Sequence, residues 1–251
     1  MIIDTHTHFG QYGEWNCPLA KLIELMDAHY IDKAITGRLE SNETGAAGFE
    51  ETMRAIRNYE HRLRLMLWIN PAVSGDADTA ERMLYRYENQ IACIKVQPQT
   101  AQIPLNDQRY EPYLQICETY GLPLAVHTEP GCYSSMDSLA AMAVRHPEIN
   151  FIAVHMELRG SHSHAMSLIA KHPNLFGDTT FVPASDVRSA IDRCGAGKIV
   201  FGSDAPIMSE RYGTTIAEIQ AILSPQEIQQ VFRLNAIRLF RLDAQQAKSK
   251  P

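Results

Sequence analysis

Met1-Ile2-Ile3-Asp4-Thr5-His6-Thr7-His8 opens the chain as a short β-prone run, a strand over Met1 to Thr7, with two histidines spaced by one residue. Side chains alternate across a strand, so His6 and His8 leave the same face, and Asp4 joins them by the same spacing. Two imidazoles converging at a strand end form half a site for a divalent cation. Alone, the pair is read equally well as two core histidines with satisfied hydrogen bonds.

The pattern recurs along the chain. Apolar runs over Ala34 to Leu39, Leu63 to Asn70, Ile91 to Gln97, Leu122 to His127, Phe151 to His155, Leu175 to Phe181 and Lys198 to Asp204 bring the strand count to eight. Over 251 residues that is about 31 per unit, which suits one strand and one crossover helix. Between them lie helical stripes: Leu19, Leu22, Ile23, Leu25 and Met26; Phe49, Met53 and Ile56; and Tyr110, Tyr113, Leu114 and Cys117 before a stop at Gly121. Eight alternating units predict an α/β fold, a single (β/α)8 TIM barrel over residues 1–242, followed by a polar, frayed tail over 243–251. An open doubly wound sheet would place a Gly-rich turn after its first strand, and Thr7-His8-Phe9-Gly10 is no such turn. Ser41 to Gly48, polar and glycine-containing, reads as a mobile loop over the site.

His127, His155 and Asp204 each close a strand run. Barrels of this kind take their active-site groups from the C-terminal ends of different strands. An ionisable side chain is costly to bury alone, and coordination of one cation by several offsets their costs together. Lys95, in Ile94-Lys95-Val96-Gln97-Pro98, is the sixth such group. It is either a lysine paired with a lumen carboxylate such as Asp4 or Asp204, or a lysine neutralised by burial and carboxylated, bridging two cations. Asp4 is either an acceptor that orients a ligand imidazole or a buried structural carboxylate. His146 and His172 precede prolines at helix ends, and His29 and His61 lie away from strand ends. His162 and His164 repeat the HxH spacing in a Ser-rich loop after strand six, from which one would reach substrate. Arg38, Arg159 and Arg211 follow strands two, six and eight; each is first a surface charge, and any one of them a bidentate partner for a substrate carboxylate.

Apolar residues at 45% and charged residues at 21% describe an ordinary globular chain. Lys+Arg 23 against Asp+Glu 29, with no basic run, disfavours nucleic acid as a partner. Five cysteines, Cys17, Cys93, Cys117, Cys132 and Cys194, show no CxxC spacing, so neither a disulfide framework nor a thiolate zinc site is expected and a reducing compartment fits. With no charged leader and no apolar run near 18 residues, a cytoplasmic protein without membrane partners is expected. The apolar residues of the terminal helices leave room for a homodimer, and the loops name no ligand class beyond a small molecule.

At Asp4-Thr5-His6-Thr7-His8, Ile94-Lys95-Val96-Gln97-Pro98, Leu124-Ala125-Val126-His127-Thr128, Phe151-Ile152-Ala153-Val154-His155-Met156, Phe201-Gly202-Ser203-Asp204-Ala205-Pro206 and the closing Asn235-Ala236-Ile237-Arg238-Leu239-Phe240, the chain resembles the amidohydrolase superfamily. Within it, the chain is similar to the amidohydrolase 2 family of metal-dependent TIM-barrel enzymes, over essentially its whole length. The resemblance implies that His6, His8, His127 and Asp204 bind the catalytic metal, zinc first, with manganese the alternative. In the mononuclear branch, which includes non-oxidative decarboxylases, His155 stays free near the water and substrate. In binuclear relatives the strand-four group, here Lys95, bridges two ions and His155 binds the second. The leading expectation is hydrolysis of an ester, lactone or amide-type bond of a small molecule, with Asp204 taking the proton of the attacking water and His155 positioning the electrophile. The alternative is metal-dependent, non-oxidative decarboxylation of a small carboxylic acid. A non-catalytic barrel fits less well, because a structural zinc site is closed by four ligands and this set offers five or six groups at an open mouth.

Overall fold

Nine strands make one sheet, in the order β2-β1-β3-β4-β5-β6-β7-β8-β9, in a computed structural model that describes residues 1–207 and 209–242. They are β1 Ile3–Tyr12, β2 Trp15–Cys17, β3 Lys33–Arg38, β4 Leu63–Ile69, β5 Ile91–Val96, β6 Leu124–His127, β7 Phe151–Val154, β8 Leu175–Asp178 and β9 Ile199–Val200. All neighbours pair in parallel except β1 with β2, an antiparallel hairpin. The ring closes between β1 and the segment after β9: Thr5 N donates to Phe201 O at 2.9 Å, Asp204 N to His6 O at 2.8 Å and His8 N to Ala205 O at 2.8 Å. The eight parallel strands are the predicted ones. The hairpin is additional, because β1 runs to Tyr12, five residues past its expected end. The expected tail over 243–251 lies outside the described residues.

The helices lie between the strands: α1 Leu19–Ala28, α2 Ser41–Thr44, α3 Phe49–Ile56, α4 Asp76–Tyr87, α5 Pro98–Ala101, α6 Glu111–Tyr120, α7 Met136–Arg145, α8 His162–Lys171, α9 Ala184–Cys194, α10 Tyr212–Ala221, α11 Pro225–Gln229 and α12 Asn235–Leu239. α6 stops at Gly121, whose left-handed φ of 62° needs no Cβ relief, as the sequence predicts. Among the described residues no helix is long and apolar enough to cross a membrane.

A parallel strand covered on both faces reads as a continuous apolar run, and β5, Ile-Ala-Cys-Ile-Lys-Val, is buried throughout. The core accordingly has two layers. Leu65, Leu67, Ile94, Val96, Leu124, Val126, Phe151 and Ile199 face the helices. Ile3, Ile35, Met66, Cys93, Ala125, Ile152, Phe176 and Val200 fill the lumen, and Ala236, Leu239 and Phe240 of α12 and its C-terminal edge pack on that lumen cluster.

Two loop expectations are corrected. Ser41 to Gly48 is not an irregular loop: it forms α2 and a 3-10 turn over Gly45–Gly48. His162 and His164 do not sit in a loop; they begin α8, where His162 Nδ1 donates to Met156 O at 2.8 Å and His164 Nε2 lies 3.3 Å from Asp137 Oδ2.

Asp76, at the start of α4, anchors the 3-10 turn. Its carboxylate accepts Ala46 N at 2.7 Å, Asn70 N at 2.9 Å and Tyr113 OH at 2.9 Å. Gly45 permits this approach, since a Cβ there would stand 2.1 Å from Asp76 Oδ1 and φ is +61°. Asp76→Ala leaves two backbone donors and a phenol without acceptors, at about 1–3 kcal/mol for each unsatisfied buried group. The expected loss is roughly 3 kcal/mol, read as a lower urea midpoint with an unchanged m value; a loss below about 1 kcal/mol would show that water replaces the carboxylate.

Candidate active site

The first strand does not keep a strict alternation. Its register against β3 shifts between Asp4 and Thr7, so two residues there oppose one. The bulge reverses the faces: Ile3 packs in the lumen, Asp4 turns away from it, and His6 and His8 return to the lumen side. Asp4 accepts Ser203 Oγ at 2.5 Å, Tyr212 OH at 2.8 Å and His6 N at 3.1 Å, and burial raises its pKa to about 7 against these hydrogen bonds. It therefore orients no ligand imidazole, and of its two readings the structural carboxylate holds.

Asp178 performs the orienting task instead. At the end of β8, its Oδ2 lies 3.0 Å from His6 Nδ1, which is also 3.1 Å from Thr180 Oγ1. Its Oδ1 accepts His155 N at 2.7 Å and Thr180 N at 3.2 Å. His8 Nδ1 is 3.3 Å from the Gly37 carbonyl, which can only accept, so that nitrogen carries a proton. Both Nε2 atoms are thereby turned to the same point. They stand 3.0 Å apart, with Asp204 Oδ1 at 2.9 Å from His8 Nε2 and 3.5 Å from His6 Nε2.

Burial, reinforced by the Lys95 charge, holds the His6 imidazole well below its usual pKa. Burial pushes Asp204 up, but the His8 hydrogen bond and the His6, His8 and His155 rings outweigh it and keep the carboxyl below the usual range. Nε2 of His6, Nε2 of His8 and a carboxylate oxygen of Asp204, all within 4.8 Å of one another, fit a divalent cation. Asp204 reaches the point from a left-handed backbone, φ 64°, a conformation in which Asp is enriched.

The remaining candidates share the cavity without joining that tight group. A space of about 340 Å³ is lined by His6, His8, Lys95, His127, His155 and Asp204, with Tyr12, Trp15, Trp68, Leu158, Arg159 and Phe181 among its walls. The His127 ring centroid is 4.7 Å from that of His155, and its Nε2 is 3.6 Å from Glu129 Oε2. Burial first, then His155 and Lys95, holds His127 well below its usual pKa. The His155 ring stacks on Phe181 at 5.2 Å, its Nδ1 is buried without a hydrogen-bond partner among the described residues, and burial lowers its pKa to about 3.

Lys95 is 2% exposed and makes no ion pair among the described residues; its ammonium lies 5.7 Å from the Trp68 ring centroid. The expected pairing with Asp4 or Asp204 is therefore absent. Burial lowers its pKa to about 8, although the Asp178 and Asp204 charges favour the ammonium.

Asp178 is the residue that sequence reasoning missed. With β8 drawn on to Phe181, Asp178 fell mid-strand; ended at Asp178, it satisfies the same strand-end rule as His127 and His155. Asn42, on α2, also lines the cavity and belongs to the stretch read as a loop.

The family model for amidohydrolases matches residues 3–242. No curated protein matches the chain in sequence. Among solved structures, 2,6-dihydroxybenzoate decarboxylase from Rhizobium superposes with a TM-score of 0.67 at 19% identity, covering 96% of this chain and 99% of that one. An amidohydrolase from Burkholderia multivorans with bound zinc gives 0.76 at 14% identity, covering 96% and 99%. An uncharacterized TIM-barrel protein of Bordetella bronchiseptica gives 0.76 at 16% identity, covering 98% and 99%. At these identities the likeness is one of fold.

Proposed function

The chain belongs to the amidohydrolase family, whose members are metal-dependent enzymes, hydrolases and decarboxylases, and on that premise we propose that it is a hydrolase of a small molecule. His6, His8 and Asp204 would hold a divalent cation, zinc first, and His127, which lines the same cavity, would complete the set. The observation that carries this is the meeting of two imidazole nitrogens and a carboxylate oxygen at one point. A cation held there supplies Lewis acidity, lowering the pKa of water from 15.7 to about 7 and polarising a carbonyl.

The chain's own groups do the rest. Asp204 takes the proton of the attacking water at Oδ2, the oxygen not turned to His8, and passes it to the leaving group. His155, neutral by burial, positions the electrophile from its ring N–H. Asp178 and Thr180 keep His6 Nδ1 occupied, so that Nε2 stays available. The aromatic walls limit water in a cavity of a size suited to a small ligand. Lys95, with its pKa brought to about 8, keeps a neutral fraction whose amine can add to carbon dioxide and release one proton to water; the carbamate would then hold a second ion together with His155, in place of the positioning role of His155.

Decarboxylation of a small carboxylic acid is the second possibility, favoured by one observation: the Lys95 ammonium stands in the lumen without an ion pair among the described residues and suits an anionic substrate. The two reactions part on the source of oxygen. Zinc-loaded protein given a panel of esters, lactones and amides in ¹⁸O water is expected to place one solvent oxygen in the product per turnover and to lose activity on chelation. Carbon dioxide release from a carboxylic acid without solvent oxygen would overturn hydrolysis. Metal analysis after growth with bicarbonate is expected to find one ion per chain, or two where Lys95 is carboxylated.

A further inference from the structure

We propose that Arg159 is the specificity residue of this cavity and that it grips a carboxylate of the substrate lying apart from the reacting bond; this rests on the cavity being the active site. Three arginines follow barrel strands, and the fold treats them differently. Arg38 is held by Glu51 and by Glu40, whose Oε2 is 3.1 Å from its Nε. Arg211 lies 3.9 Å from Glu218 and lines a separate cavity with Tyr212 and Thr215. Arg159 lines the candidate active site and, among the described residues, makes no ion pair or side-chain hydrogen bond. Asp204, which lines the same cavity, is engaged by His8 at 2.9 Å, and Glu129 lies 3.6 Å from His127. The guanidinium is left as an open fork, the geometry that matches a carboxylate in two parallel hydrogen bonds.

The loop that carries Arg159 is built at a cost. His155, Met156, Glu157 and Arg159 have φ values of 69°, 45°, 72° and 61°, a left-handed run without glycine at any of the four. Such conformations persist where surroundings over-determine them, and they gather at ligand clamps. Here Thr128 supplies the anchor: Glu157 N donates to its Oγ1 at 2.8 Å and Leu158 N to its carbonyl at 2.8 Å. Glu157 closes the turn, accepting Gly160 N at 2.8 Å and, through Oε2, Ser161 N at 3.2 Å. The consequence is that the backbone carrying Leu158 and Arg159 is held beside the cavity that both residues line. Arg159 is exposed whereas the His6, His8 and Asp204 group is buried, so an acid gripped by Arg159 lies towards the mouth and the reacting bond towards the floor. The stacked Tyr12 and Trp15 rings of the β1–β2 hairpin line the same cavity and offer an apolar surface to the body between.

The test is a binding panel on zinc-loaded wild type, Arg159→Gln and Arg159→Lys, by calorimetry and thermal shift. Its probes are butanoate, benzoate and phenylacetate, each beside its neutral amide, with phenyl phosphate as the alternative anion. Wild type is expected to prefer at least one carboxylate over its amide by about tenfold or more. Arg159→Gln is expected to lose roughly 10- to 100-fold for the carboxylate alone, and Arg159→Lys to keep an intermediate affinity. The proposal is overturned if wild type shows no carboxylate preference, if Arg159→Gln retains it, or if phenyl phosphate outcompetes every carboxylate. Carboxylate preference without hydrolysis would sink the reaction proposed above and leave Arg159 its role; hydrolysis without the preference would do the reverse.

Discussion

Asp204→Asn is expected to lower turnover by about 10²- to 10⁴-fold, the range of a lost general acid–base group. The amide cannot take up a proton, and it offers a neutral oxygen where a carboxylate held below its usual pKa now stands. Folding should survive, because Asn tolerates the left-handed conformation that Asp204 adopts and the Asp204 N to His6 O bond of 2.8 Å is a backbone contact. The measurement is kcat on an identified substrate together with zinc content per chain. Unchanged turnover with metal retained would remove Asp204 from the mechanism. His155→Asn tests the partner role in the same way, and there too an unaltered kcat counts against the proposed chemistry.

Asp178→Ala is expected to weaken zinc binding by about 10- to 100-fold, the usual effect of removing a carboxylate that orients a ligand imidazole. It frees the His6 ring, whose Nδ1 now lies 3.0 Å from Asp178 Oδ2, and strips acceptors from His155 N and Thr180 N. Leaving buried donors without acceptors costs about 1–3 kcal/mol for each, so the apo protein should also unfold at lower urea. Competition with a chromogenic chelator reads the first effect and urea titration the second. Zinc affinity within twofold of wild type would mean that His6 is oriented by Thr180 alone.

How far the site could be read before folding differs residue by residue. His6, His8, Lys95, His127, His155 and Asp204 all line one cavity, as strand-end placement predicts. That rule works because a polar group closing an apolar run is a local signal, and the barrel gathers such ends at one mouth. It failed for Asp178 because the β-prone Thr179-Thr180-Phe181 continued the run beyond the point where pairing with β9 stops. It misassigned Asp4 because period-two alternation assumes an unbroken register, and the bulge between Asp4 and Thr7 leaves no mark in composition. Ser41 to Gly48 looked like a loop because its polar residues and glycines carry turn propensity. Asp76, 30 residues from Ala46, ties it into a helical turn through contacts that no window of sequence contains.

Periodicity and turn chemistry, being properties of neighbouring residues, were enough to establish eight strand–helix units, their order and the residue types available for metal chemistry. Folding alone decided the partnerships: Asp178 rather than Asp4 against the His6 ring and, among the described residues, Lys95 without an ion pair and Arg159 left open while Arg38 and Arg211 were engaged. The His6–Asp178 contact joins atoms far apart in the chain, and even the shorter-range arginine pairs depend on groups meeting within about 3–4 Å, where hydrogen bonds and ion pairs act; residue order carries no such distances.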